Sequence, residues 1–190
     1  LWAACAENGI PVNAHSGTGG PKYPPAPAMP LVHFLEIPYY SQRPLVHMIL
    51  AGVFEKHPKL RFALTETGCA WIPPLLESMD GLLNGMRSQK VGEMRFDGEV
   101  IPPKSATEYF DQSCWVGISQ PTPNDIKAGI EILGIEKMMW GNDYPHEEGT
   151  HPFTREHLRQ VLGHLEPAQI QQILAGNAAE FYNFDLAALQ

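Results

Sequence analysis

Met138 to Thr150, MMWGNDYPHEEGT, is the stretch from which the fold is read. Met138, Met139 and Trp140 form an apolar run too short, and too sharply bounded by Gly141 and Pro145, to be a helix, so they read as a buried strand. Asp143 then stands at the carboxyl end of that strand. In a parallel α/β protein this end faces the active site, which suits a carboxylate there to metal binding or proton transfer. His146, Glu147, Glu148 and His151 follow on the loop. An Asp before Tyr-Pro also caps turns through its backbone amides, so this segment alone supports a structural role equally well. The endings of the other strands separate the two readings.

Working back along the chain, Ile10 to Ala14, IPVNA, is a short strand candidate that delivers His15 before the turn Ser16-Gly17-Thr18-Gly19-Gly20. That turn lacks the G-x-x-x-x-G-K-[ST] pattern of a phosphate loop. Leu60 to Leu64, LRFAL, alternates and then presents Thr65 and Glu66 before Gly68. Cys114 to Ile118, CWVGI, ends at Ser119. Between these strands the spacing predicts helices. Pro44 to Glu55 carries Leu45, Met48, Ile49 and Val53 on one face, with Ser41 or Gln42 near its start. Trp71 to Leu83 tolerates Pro73 and Pro74 because they fall in its first turn. Ser105 to Glu108 matches a capping box, and Thr122-Pro123-Asn124-Asp125 opens a helix that runs through Leu133 and is closed by Gly134. Two helices finish the chain, from Thr154 to about Leu162 and from Pro167 to about Ala175, with Asn177 to Tyr182 extending the last. The proline-rich Pro21 to Pro38 and the polar Arg87 to Lys104 are predicted to be irregular loops, the first of them a lid or binding loop.

Alternating strands and helices imply a parallel sheet. If the four strands run parallel, His15, Glu66, Ser119 and Asp143 approach one another at a single carboxyl edge, at positions where a core-filling residue would be apolar. That coincidence favours a site over four unrelated turns.

The bulk numbers bound the rest. At 190 residues the chain is long enough for one domain with its own core, and 44% hydrophobic with 18% charged residues is the balance of a globular protein. A net charge of -8 argues against a nucleic-acid surface. Cys5, Cys69 and Cys114 lie far apart with no C-x-x-C spacing, so buried reduced thiols are expected rather than a thiolate metal site or disulfides. No apolar run approaches the ~20 residues of a membrane span, and no basic-then-apolar leader is present. A cytoplasmic protein with no membrane or nucleic-acid partner is therefore expected. Leu1 to Asn8, LWAACAEN, reads as the second half of a helix stopped by Gly9, so the sequence reads as truncated at its N-terminus.

The segments IPVNAHSG, HPKLRFALTETGCAWIPPLLESMD, WGNDYPHEEGT and GNAAEFYNFD, in this order, resemble the C-terminal portion of the amidohydrolase superfamily, in the branch of aminocarboxymuconate semialdehyde decarboxylase. The resemblance covers nearly the whole chain apart from the loops. It implies a (β/α)8 TIM barrel, of which this chain supplies strands five to eight, with a divalent metal at their carboxyl ends. By that resemblance His15 is the strand-five metal ligand and Asp143 the strand-eight aspartate that binds or adjoins the metal and relays a proton. The ion implied is zinc foremost, with manganese as the alternative. Two departures stand out. The family's H-x-H pair on strand one has no counterpart here, so His15 and Asp143 make only part of a ligand set. Glu66 falls where the decarboxylases carry a catalytic histidine. The chemistry implied is hydrolysis of a small organic substrate by a metal-activated water, with Asp143 taking the proton and Glu66 and His146 orienting substrate. The alternatives are a non-oxidative decarboxylase of an aromatic or enoic acid, and an inert partial barrel that needs its missing half or a second copy in a homo-oligomer.

Overall fold

The computed structural model describes residues 1–17, 19–95, 98–185 and 187–188, with the backbone alone for residue 99. Thr18 of the glycine turn, and Phe96 and Asp97 of the polar stretch, lie outside the described residues. Four short strands carry the architecture: β1 (Val12–His15), β2 (Phe62–Thr65), β3 (Cys114–Ile118) and β4 (Met138–Trp140). They form one sheet in the order β1-β2-β3-β4, every pair parallel. The register sets Val12 against Phe62, Phe62 against Cys114 and Val116 against Met138. Sequential parallel neighbours joined by helical crossovers are half of a (β/α)8 barrel, so the chain is a partial barrel.

The period of two along each strand divides the sheet into two faces. Val12, Ala14, Phe62, Leu64, Cys114, Val116, Ile118 and Met138 point to the face packed by helices and form the main core. Ala63 and Met139 point the other way, where Phe181 packs against them and Trp115.

The helices are α1 (Trp2–Glu7), α2 (Met29–Leu50), α3 (Val53–Lys56), α4 (Ile72–Arg87), α5 (Ala106–Ser113), α6 (Pro123–Ala128), α7 (Thr154–Leu162), α8 (Pro167–Gln171) and α9 (Asn177–Tyr182). α5 starts with a reciprocal Ser105–Glu108 capping box, as its sequence predicts. α6 starts with the same device between Thr122 and Asp125, then widens into a π-helical turn over Gly129–Leu133 before Gly134.

The main difference from the sequence-based expectation is α2. Residues 21–38 read as loop, yet the helix begins at Met29 and runs 22 residues through Pro38 and Pro44. Pro30 sits in the first turn, where its missing N–H costs nothing. Ser41 Oγ donates to the Ile37 carbonyl at 2.7 Å. Burial of Ser41, Leu45, Met48 and Ile49 anchors the C-terminal half, whereas Leu31, Phe34, Leu35 and Tyr39 of the N-terminal half are exposed. Tertiary packing of one half thus carries two prolines that local propensity would count as stops. His33 and Glu36 lie on this helix, and Tyr23 donates a hydrogen bond to Glu36.

Cys5, Cys69 and Cys114 are buried thiols. No helix among the described residues is long and apolar enough to cross a membrane.

The amino end of the sheet is tied to the end of the chain. Arg61 donates to the carbonyls of Gly9 (2.6 Å) and Glu180 (3.0 Å) and to Asn183 Oδ1 (3.0 Å). The buried Asn177 amide donates to the carbonyls of Ile135 (2.7 Å) and Met138 (2.6 Å), which fixes where β4 begins. Asn177→Ala leaves the Met138 carbonyl without this donor and the Ile135 carbonyl with the Met138 N–H alone. It is expected to cost about 2–4 kcal/mol in urea unfolding, and a loss under about 0.5 kcal/mol would refute this anchoring role.

Candidate functional site

Parallel pairing in this register brings the carboxyl ends of the strands to one edge. His15 is the last residue of β1 and pairs with Thr65, the last of β2. Glu66 follows immediately, and its N–H continues the ladder to the Gly117 carbonyl at 3.0 Å. Gly141 N–H bonds to the Ile118 carbonyl at 3.0 Å, and Asp143 follows two residues on.

Glu66 and Asp143 both take the left-handed backbone region, at φ 57° and 59°. For a residue with a Cβ this conformation costs roughly 1–3 kcal/mol and persists only where neighbouring contacts impose it. Here it turns both side chains back over the sheet edge. The Asp143 side chain is only 10% exposed and that of Glu66 19%, while those of His15 and His146 are over half exposed.

His15 Nε2 lies 3.0 Å from Glu66 Oε2, and Ser16 Oγ is 3.5 Å from the same oxygen. His15 Nδ1 lies 3.1 Å from the Ser16 carbonyl and 3.3 Å from Ser16 Oγ. His146 Nδ1 is 3.2 Å from Asp143 Oδ1. The two carboxyl groups are hydrogen-bonded to each other and titrate apart. Asp143 raises the Glu66 carboxyl above the ordinary carboxylate range, helped by burial, while His15 and His146 pull the other way. The hydrogen bond to Glu66 lowers Asp143, with His146 assisting and burial opposing.

Glu66, Asp143 and His146 each offer one ligand atom, and these atoms lie within 4.8 Å of one another. Two carboxylate oxygens and an imidazole nitrogen, open to a cavity, are a donor set that fits a catalytic divalent cation. The pair singled out from sequence was His15 with Asp143. Both stand on this edge, and the compact three-donor group among the described residues is Glu66, Asp143 and His146, with His15 joined to it through Glu66.

The cavity over this edge has a volume of about 300 Å³. Its lining includes the acids Glu66, Asp125, Asp143 and Glu148, and the apolar Phe34 and Ile37 of α2. No Lys or Arg is among its described lining residues. Ser119, the fourth residue noted from the strand endings, lines it as well. Phe34, Ile37 and Asp125 are not legible as site residues in the sequence: the first two lie in a segment that reads as loop, and Asp125 reads only as part of a helix start.

Half a (β/α)8 barrel with carboxylates and imidazoles gathered at the carboxyl edge of its strands defines a barrel of the metal-dependent hydrolase class. The family model described as Amidohydrolase matches residues 1–184, and the chain belongs to that family. No curated protein matches. Among solved structures the chain is similar to an amidohydrolase from Mycobacterium avium subsp. paratuberculosis, with a TM-score of 0.70 and 24% identity over 95% of this chain and 44% of that one. It is also similar to the 5-carboxyvanillate decarboxylase of Sphingomonas paucimobilis, with a TM-score of 0.69 and 19% identity over 96% of this chain and 52% of that one. The 5-carboxyvanillate decarboxylase of Novosphingobium aromaticivorans, complexed with manganese and a nitrobenzoic acid, gives a TM-score of 0.72 and 19% identity over 96% of this chain and 50% of that one. The chain spans about half the length of these structures.

Because Asp143 is the first cause of the Glu66 shift, Asp143→Ala in metal-free protein should bring the Glu66 carboxyl down towards the ordinary carboxylate range. Titration of its side-chain carboxyl carbon by NMR checks this, and an unmoved midpoint would contradict the pairing.

Proposed function

We propose that this chain carries the C-terminal half of a metal-dependent hydrolase site acting on a small, uncharged organic substrate. The observation that carries the reading is the gathering of Glu66, Asp143 and His146 at the strand ends, each offering a ligand atom within 4.8 Å of the others, with the two carboxyl groups shifted in opposite directions. Titratable neighbours pushed apart in this way divide acid and base roles between them. Asp143, the carboxyl group shifted down, accepts a proton at Oδ, and Glu66, the carboxyl group shifted up, stands beside it to orient substrate. His146 at 3.2 Å orients the Asp143 carboxylate.

The ion would be held by donors drawn from His15, Glu66, Asp143 and His146. When bound, a divalent ion there supplies a Lewis acid for a carbonyl and a water of lowered pKa. Manganese is the first ion to test, since the Novosphingobium structure is described as complexed with it, and zinc the second.

The substrate charge follows from the cavity. Four acids with no Lys or Arg among its described lining residues disfavour an anionic ligand and accept a neutral one, with Phe34 and Ile37 of α2 as the apolar wall. The position of Glu66 adds to this, because a carboxyl group cannot present a cation to a substrate carboxylate. The second reading is a non-oxidative decarboxylase of an aromatic acid, favoured by the decarboxylases among the similar structures.

The complete gene product, loaded with Mn²⁺ or Zn²⁺, is expected to hydrolyse members of a panel of neutral esters, lactones and amides. Chelation should abolish that activity, and Asp143→Asn should lower turnover by about 10²–10⁴-fold. Carbon dioxide release from hydroxybenzoic acids without hydrolysis of the neutral panel would replace this reading by the second.

A further inference from the structure

Glu66 stands on a segment that leaves β2 in a strained conformation and must reach α4 within six residues. Its amino end is fixed by the Glu66 N–H bond to Gly117. Within it the Trp71 indole N–H donates to the Thr67 carbonyl at 2.7 Å. The far end is held from outside the segment by Asp125, a residue of α6 that follows β3.

The Asp125 carboxylate is occupied on both oxygens. Oδ2 accepts from Thr122 N–H at 3.0 Å and from Thr122 Oγ1 at 2.6 Å, closing the helix cap. Oδ1 accepts from Cys69 N–H at 3.3 Å. The Asp125 backbone carbonyl takes the Cys69 thiol at 2.9 Å. Gly68 passes so close, at φ 62°, that a Cβ there would stand 3.2 Å from Oδ1. Burial disfavours the Asp125 carboxylate, yet the Thr122, Cys69 and Ala70 donors outweigh it and hold its pKa below the usual range.

Asp125 lines the same cavity as Glu66 and Asp143, but three hydrogen bonds from Thr122 and Cys69 already engage both of its oxygens. Its consequence for the site is geometric.

We infer that Asp125 is a positioning residue: by clamping residues 68–70 to the N-terminus of α6, it holds Glu66 in its left-handed conformation and so sets the carboxyl pair and the donor group at the strand ends. The inference rests on the reading of that edge as a metal site. It implies that α6 is part of the site's support although none of the proposed donors comes from it.

The test compares Asp125→Ala, Asp125→Asn and Arg61→Ala in the complete protein. Mn²⁺ alone is the probe, with its dissociation constant read by titration. Loss of a residue that orients ligands typically weakens metal binding by about 10–100-fold, which is the expectation for Asp125→Ala. Asn keeps one acceptor oxygen but turns an NH₂ towards Thr122, so Asp125→Asn should fall between Ala and the parent. Arg61→Ala disrupts the opposite end of the strands and should leave Mn²⁺ affinity within about twofold, as expected for distant sites. A second readout needs no metal: the Cα and Cβ chemical shifts of Glu66, which report its backbone angles, should move from left-handed values in both Asp125 variants and stay in Arg61→Ala.

Parent-like Mn²⁺ affinity and parent-like Glu66 shifts in the Asp125 variants would overturn the inference, as would equal losses in Arg61→Ala. If Asp125→Ala does not fold, Asp125→Asn decides by the same two measurements. A parent protein that binds no Mn²⁺ would sink the metal-site reading instead, and the Glu66 shifts would still judge the role of Asp125.

Discussion

The parallel ladder β1-β2-β3-β4 is the constraint on which everything else depends. Its register alone decides that His15, Glu66 and the segment leading to Asp143, far apart in sequence, emerge at a common edge. A slip by one residue in any pair would send the core set Phe62, Leu64 and Val116 to the wrong face and carry the site residues with it. Burial of these side chains therefore specifies the geometry of the chemistry as well as the stability of the sheet. The left-handed turns at Glu66 and Asp143 complete the arrangement, since an extended continuation would carry both carboxyl groups away from the edge.

Much of this was legible before any coordinates. Short strands leading into His15, Glu66 and Asp143 stand out because apolar runs break off abruptly into polar residues, and such breaks mark the carboxyl ends in a parallel sheet. The capping box at Ser105 was readable for a similar reason: its partner lies three residues away, within one turn. The strand and helix alternation carried the partial barrel.

What escaped was whatever depends on contacts between distant segments. Helix α2 was misread because Pro38 and Pro44 are local stop signals, whereas the burial of Leu45, Met48 and Ile49 that holds the helix is not a local property. Phe34 and Ile37 were lost with it. Asp125 shows the same limit at a single residue, for its capping pattern is identical whether or not the second oxygen reaches across to Cys69. The meeting of Glu66 and Asp143 likewise needs two loops placed side by side, which no spacing along the chain reveals.

The strand pairings also bear on how the molecule comes to be. Joining β1 to β2, and β2 to β3, closes stretches of about fifty residues each time, because Val12 meets Phe62 and Phe62 meets Cys114. Helices such as α4 and α5 can form from neighbouring residues long before those closures are made. The sheet is thus a late and slow product of assembly, and Phe62, Leu64 and Val116 remain uncovered in the nascent chain meanwhile. Apolar strands that wait for distant partners can pair with other chains in the interval, which sets concentration against correct closure of the sheet.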